Sequence, residues 1–140
     1  MAKDNKIGSY SLALLRVVLG LIFIYHGFLK LFVTGGFTGT VNFFASIGIP
    51  LAVYSALLVS LIEFFGGLFL LLGVITKWSA TLLILQMLVA FLKVHVKNGF
   101  LVSKGGYEFV LLILAGLIVV LASGAGKFSV GSYFKNRHLK

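Results

Sequence analysis

Two glutamates are the strongest candidates for chemistry, because acids are rare in this chain. It has only three acidic residues in 140, and Glu63 lies near the middle of a long apolar segment. A carboxylate at bilayer depth is expensive, so it is either functional or one half of an ion pair. Glu108 lies at the start of the last apolar segment. It is a second candidate. The alternative is that Glu108 only stabilises the start of a helix, from position N3 with Gly105 as the N-cap.

Basic residues that could partner Glu63 lie in the first apolar segment. His26 and Lys30 are four residues apart and share one helix face, with Arg16 near the same side but deeper. At about 1.5 Å of rise per residue, Arg16 or His26 lies within side-chain reach of Glu63. We predict Glu63 and His26 as a catalytic proton relay. The predicted ligand-binding residues are Arg16, Lys30, His95 and Glu108.

The third apolar segment carries Gln86 and Lys93 on one helix face, and His95 nearly opposite. Successive residues of a straight α-helix turn by about 100°. Lys93 and His95 therefore cannot both face the core of one helical bundle, and one of them must lie at its periphery or snorkel outward. His26 and His95 lie on different segments and could flank a haem, but His95 falls in a last helical turn, which disfavours it. We predict no metal site, because no ligands have tight spacing.

The composition defines the elements that must position these residues. Hydrophobic residues make up 60% of the chain and the mean hydropathy is +1.13, values typical of an integral membrane protein. The absence of cysteine excludes thiol relays and thiolate metal sites. The net charge of +9 belongs to topology signals and not to nucleic-acid binding, because no basic stripe with interleaved aromatics is present.

Four apolar segments predict an all-α fold, an antiparallel four-helix bundle in the membrane. The whole chain, 1–140, forms one domain. The predicted spans are 12–32, 51–74, 78–96 and 107–122, followed by a tail at 123–140. The connection 33–50 should form a partly helical cap with a short helix at Val41–Ile47, and Pro50 should lie in the first turn of the second span. Gly20 and Gly27 share a face and should allow close helix packing.

Basic residues are unevenly shared between the two predicted sides of the membrane. The side of the termini carries Lys3, Lys6, Lys77, Lys127, Lys135, Arg137 and Lys140, and the opposite loops carry Lys97 and Lys104. The positive-inside rule then places both termini in the cytoplasm.

Several stretches together resemble the DoxX family of small bacterial and archaeal membrane proteins. They are LLRVVLGLIFIYHGFLKLF (14–32), GIP (48–50), EFFGGLFLLLGVITK (63–77) and NGF…GGYE (98–108). The resemblance implies a four-helix bundle in the cell membrane. Family members are often described as oxidoreductase-like, or as subunits of quinol oxidase or thiosulfate:quinone oxidoreductase. Recurrent family positions match Arg16, Gly20, His26, Gly27, Lys30, Glu63, Gly67, Gly106 and Glu108. The fold is similar to that of vitamin K epoxide reductase-like bundles, but the cysteines of that chemistry are absent.

Two functions remain open from the sequence. The first is a redox-associated subunit, a candidate oxidoreductase, whose intramembrane polar pocket binds a quinone-like or other small amphipathic ligand. Glu63 and His26 would supply or accept the protons of the redox reaction. The alternative is a non-enzymatic assembly or accessory protein whose buried ions specify packing and the docking of a partner. The lipid bilayer is the expected partner in both cases, with a redox protein as a further one in the first. The sequence names neither the cofactor nor the oligomeric state.

Overall fold

The computed structural model describes residues 6–137, and within that range every regular element is a helix. Lys3 near the N-terminus, and His138 and Lys140 of the predicted tail, lie outside the described residues. The elements are α1 Lys6–Phe32, α2 Gly36–Ser46, α3 Ala52–Leu72, α4 Thr76–Ala90, α5 Glu108–Ser123 and α6 Val130–Arg137. Past Ala90, α4 continues as a π-helix, Phe91–His95, and a 3₁₀ turn, Val96–Asn98. A second 3₁₀ turn is Val102–Lys104.

In the described part of the chain, three helical stretches are long and apolar enough to cross a membrane. They are Lys6–Phe32, Ala52–Leu72 and Thr76–Asn98, of 27, 21 and 23 residues. A helix rises about 1.5 Å per residue, so about 20 residues cross the hydrocarbon core. At 16 residues, α5 is apolar but shorter. The all-α class is confirmed, and a fourth span stays a prediction.

The closest helix pair is α1 and α3, and glycines make it close. A Cβ on Gly27 would lie 2.5 Å from the Phe64 nitrogen, and one on Gly20 would lie 2.8 Å from the Leu71 nitrogen. Only glycine permits backbones this near to each other. Because 20 pairs with 71 and 27 with 64, the two helices are antiparallel, which fixes their register. The predicted packing role of Gly20 and Gly27 is confirmed.

The remaining long helices pack around this pair. Gly66 of α3 faces the Leu83 side chain of α4, and Gly116 of α5 faces the Leu19 side chain of α1. The core is aliphatic at these contacts, with Leu70, Leu83 and Leu117 fully buried. Such a core holds the helices at fixed separations, so polar side chains on different helices meet at defined points.

Short connections set the helix order. α3 ends at Leu72, and its C-cap Gly73 has a φ of 71°, the left-handed conformation common at helix C-termini. α4 begins three residues later, so α3 and α4 form a helical hairpin. The short helix predicted at Val41–Ile47 is found as the longer α2, which follows directly from α1. α3 begins at Ala52, so Pro50 precedes it instead of occupying its first turn.

Candidate functional site

Glu63 is buried and its carboxylate is held from two sides. Only 6% of the residue is exposed. Lys30 of α1 donates to Oε2 and forms an ion pair with it. Gln86 of α4 donates from Nε2 to Oε1 at 2.6 Å. The carboxylate therefore joins three helices, and the charge-assisted bonds offset part of its desolvation.

The partner of Glu63 differs from the predicted Arg16 or His26. The register of α1 against α3 places Glu63 level with Phe28, two residues or about 3 Å below Lys30. Helical side chains point toward their own N-terminus. Lys30 therefore points down α1 while Glu63 points up antiparallel α3, and their ends meet. Arg16 lies twelve residues from that level, about 18 Å away.

A large cavity opens beside the Glu63 carboxylate. Its volume is about 910 Å³, and its wall includes residues from α1 to α5 as well as the loop before α5. Its wall is mostly apolar, including Phe43, Phe44, Leu58, Val59 and Phe109. The polar residues Lys30, Glu63 and Gln86 stand together on this wall. An apolar cavity of this size with a few convergent polar groups is the usual form of a small-molecule site.

His26 also lies on the cavity wall, but the residue is exposed. Its ring meets Tyr25 edge-on, with centroids 6.0 Å apart. Among residues 6–137 it forms no hydrogen bond, so neither ring nitrogen is committed to a partner there. The structure thus brings His26 and Glu63 to one cavity without joining them directly.

Lys93 and His95 both line the cavity, contrary to the expectation that only one would. α4 changes to a π-helix at Phe91, but residues two apart in a π-helix still lie nearly opposite each other, so the long, exposed side chain of Lys93 reaches the cavity from its rim. Short π segments are frequent at functional sites. His95 Nδ1 lies 2.7 Å from the Gly105 carbonyl oxygen. A carbonyl oxygen only accepts hydrogen bonds, so Nδ1 of His95 carries a hydrogen and donates it.

Arg16 occupies a different place from the other predicted residues. It is 2% exposed and does not line the cavity. Its guanidinium donates to the Leu70 carbonyl, to the Leu71 carbonyl at 2.8 Å and to the Phe128 carbonyl at 2.6 Å. The first two carbonyls end α3, where helix oxygens lack partners and a cation is favourable. Arg16 therefore fastens the chain before α6 to the end of α3.

Glu108 is the first residue of α5, and Tyr107, not Gly105, is its N-cap. The Glu108 carboxylate accepts from the Val102 backbone N–H at 2.6 Å, while its own N–H donates to the Phe100 carbonyl at 2.9 Å. Glu108 does not line the cavity. Its bonds hold the loop that carries Gly105, which in turn holds His95.

Gln86 is the site residue that the sequence analysis did not select. Its amide nitrogen must face Glu63, because an amide oxygen there would meet the carboxylate with no proton between them. The Gln86 Oε1 is buried and has no hydrogen-bond partner among residues 6–137. A polar amide in an apolar segment was a signal, but only the α3–α4 packing shows that it reaches Glu63.

Within the described range, no three His, Cys, Asp or Glu residues stand close enough to hold a metal ion.

These features describe a helical membrane protein with a polar cluster in an apolar cavity. A profile of the DoxX family matches residues 11–96. The chain belongs to the DoxX family.

Similar proteins are found in several bacteria. A Bacillus subtilis protein named "Putative oxidoreductase CatD" is 34% identical over 125 residues, 89% of this chain and 85% of that protein. The "Uncharacterized membrane protein Rv3486" of Mycobacterium tuberculosis is 31% identical over 93% of this chain and 85% of its own length. A Haemophilus influenzae protein of uncharacterized function is 31% identical over 93% and 95%. No solved structure matches significantly.

Proposed function

We propose that the cavity binds a quinone-like or other small amphipathic ligand within the membrane, and that the protein is a redox-associated subunit. The observation that carries this proposal is the buried Glu63, held by Lys30 and Gln86 on the wall of an apolar cavity of about 910 Å³. Apolar walls suit a ring and its tail, and the polar cluster suits oxygen atoms. The oxidoreductase name of the CatD relative agrees with this class of chemistry.

The chemistry proposed for the cavity is proton transfer. Reduction of a quinone to a quinol takes up two electrons and two protons. Glu63 and His26, which both line the cavity, are the residues proposed to supply or accept these protons. The chain contains no cysteine for a thiol relay, so the electrons must come from a redox partner or from a bound cofactor.

The membrane arrangement proposed with this function has four spans and both termini in the cytoplasm. α5 would be the fourth span, closing an antiparallel four-helix bundle. The excess of lysine and arginine beside the termini supports this orientation in the cell membrane. The cavity then opens in the outer half, because α2 and the 99–106 loop lie at the end opposite the termini.

One observation favours the second candidate, an accessory protein without catalysis. The Lys30–Glu63–Gln86 cluster ties three helices together, as a purely structural cluster would. A buried polar cluster can specify which helices pack and in what register. In that case the protein should co-purify with a stoichiometric protein partner and carry no small molecule.

A cavity-filling variant separates the two functions. Gly39 of α2 lines the cavity, and a Cβ there would meet no atom within 4 Å. Gly39→Leu should therefore fold normally and fill part of the cavity. The matched control is Thr38→Leu, on the same helix at an exposed position off the cavity wall.

The measurement is mass spectrometry of lipid extracts from each purified protein, with a visible spectrum. We expect a quinone or other amphipathic molecule with the wild type and Thr38→Leu, and much less with Gly39→Leu. Equal ligand content in all three proteins, or none in any, would contradict the proposal. A bare protein that retains a stoichiometric partner would favour the second candidate.

A further inference from the structure

The charges on the cavity wall do not balance. Glu63 is the one acid on this wall among residues 6–137, and Lys30 already neutralises it. The other ionisable lining residues are His26, Lys93 and His95, all basic. The remaining described glutamate, Glu108, is bonded to the Val102 backbone and does not face the cavity. The cavity therefore presents an uncompensated positive charge.

Lys93 is the centre of this imbalance. In the described part of the chain it forms no ion pair and no hydrogen bond. It lies seven residues beyond Gln86 along the same helical stretch, about 10 Å from the Glu63 level. Its side chain is exposed as well as lining the cavity, so it stands at the opening. A cation there can meet a ligand head without being stripped of all its water.

Apart from these polar groups, most of the cavity wall is apolar. Phe43 and Phe44 of α2 and Leu58 and Val59 of α3 contribute to it. A ligand that filled the cavity would thus have an apolar body against these residues and one end near Lys93. An uncharged end would leave Lys93 without a counter-ion, whereas an acid would form a charge-assisted bond at little desolvation cost.

We infer that the ligand of this cavity carries an anionic head, a carboxylate or a phosphate, that pairs with Lys93 at the opening while its apolar body lies against α2 and α3. This inference rests on the proposed function: it adds an anionic head, which an unsubstituted quinone lacks, to the small amphipathic ligand proposed for the same cavity. The anion can belong to a free amphipathic acid or to a membrane lipid. Lys93 makes the site selective for an anionic head, and the apolar wall accommodates the apolar body of the ligand.

The test uses the full chain in phosphatidylcholine nanodiscs and a fluorescent amphipathic probe, dansylaminoundecanoic acid. Its methyl ester has the same body and no charge. Because one charge-assisted bond is at stake, the acid should bind about tenfold more tightly than the ester. Lys93→Gln should remove this preference and leave binding of the ester unchanged. Lys97→Gln, which removes a lysine that does not line the cavity, should keep the preference.

The outcomes separate the inference from the proposed function. Equal binding of acid and ester, or an equal loss with Lys93→Gln and Lys97→Gln, would overturn the anionic head. If decylubiquinone still displaced the probe, the proposed function would stand. Failure of both probes and of decylubiquinone to bind would overturn both. Phosphatidylglycerol is then added to the nanodisc. If it displaces the acid from the wild type but does not displace the remaining probe from Lys93→Gln, the anion is a lipid phosphate. No displacement identifies a free acid.

Discussion

Replacing Glu63 by Gln should destabilise the protein through Lys30. Lys30 and Gln86 donate to different oxygens of Glu63, and a glutamine replaces one of those oxygens with an amide nitrogen that donates and cannot accept. It also leaves the Lys30 ammonium without its anion. Removing one member of a buried ion pair costs about 3–5 kcal/mol. The Lys30 side chain is 24% exposed, which allows partial hydration. We therefore expect a loss of about 2–3 kcal/mol.

The assay is the free energy of unfolding in mixed micelles, measured by titration with a denaturing detergent and far-ultraviolet circular dichroism. The double variant Glu63→Gln with Lys30→Met removes the stranded charge. It should be more stable than the sum of the single effects by about 1–2 kcal/mol. Lys93→Met is the matched control. It removes another cavity lysine, one with no acidic partner, and should add to Glu63→Gln within about 0.5 kcal/mol.

Two results would refute this reasoning. A Glu63→Gln protein within about 0.5 kcal/mol of wild type would show that the ion pair contributes nothing to stability. Strict additivity with Lys30→Met would show that the two residues act independently. If Glu63→Gln instead held its stability and lost ligand turnover, Glu63 would act as a relay with no structural role.

Three further predictions concern other parts of the molecule. Gly27→Ala should lower the free energy of unfolding by about 1–3 kcal/mol, because the added Cβ would collide with the Phe64 backbone. The control Gly39→Ala, where a Cβ meets open space, should have little effect, and the detergent titration described above measures both. Arg16→Met should free the chain before α6, so limited trypsin should cleave after Lys127 faster than in wild type, and unchanged cleavage would contradict the role of the Phe128 contact. Reporter fusions at the N- and C-termini should both report the cytoplasm, and an external terminus would contradict the four-span topology.

The helices were predictable because hydropathy and length decide them. Apolar segments of about 20 residues require helices in a bilayer, and the pair Gly20 and Gly27 indicated a close contact. Burial of Glu63 followed from its place inside such a segment. These conclusions depend on properties that each segment carries alone, so one sequence was sufficient.

The partner of Glu63 was not predictable in the same way. It depends on the register between α1 and α3, which backbone contacts at Gly27 and Gly20 set across 37 and 51 residues of chain. Depth arguments along the bilayer suggested Arg16 or His26. The register excludes Arg16, and of His26 and Lys30, each two residues from the Glu63 level, only the Lys30 side chain points toward Glu63. The π-helix at Phe91–His95 and the reach of the exposed Lys93 side chain to the rim of the cavity also left no clear sequence signal.

Photolabelling with an azido-quinone tests most directly whether this cavity binds an amphipathic ligand. The wild-type protein would be labelled in nanodiscs, digested and mapped by mass spectrometry. The account predicts label on cavity-lining residues of α2 and α3, such as Phe43, Phe44 and Val59, and loss of that label in Gly39→Leu but not in Thr38→Leu. Label spread over the exposed outer faces of the helices, or unchanged by Gly39→Leu, would contradict it.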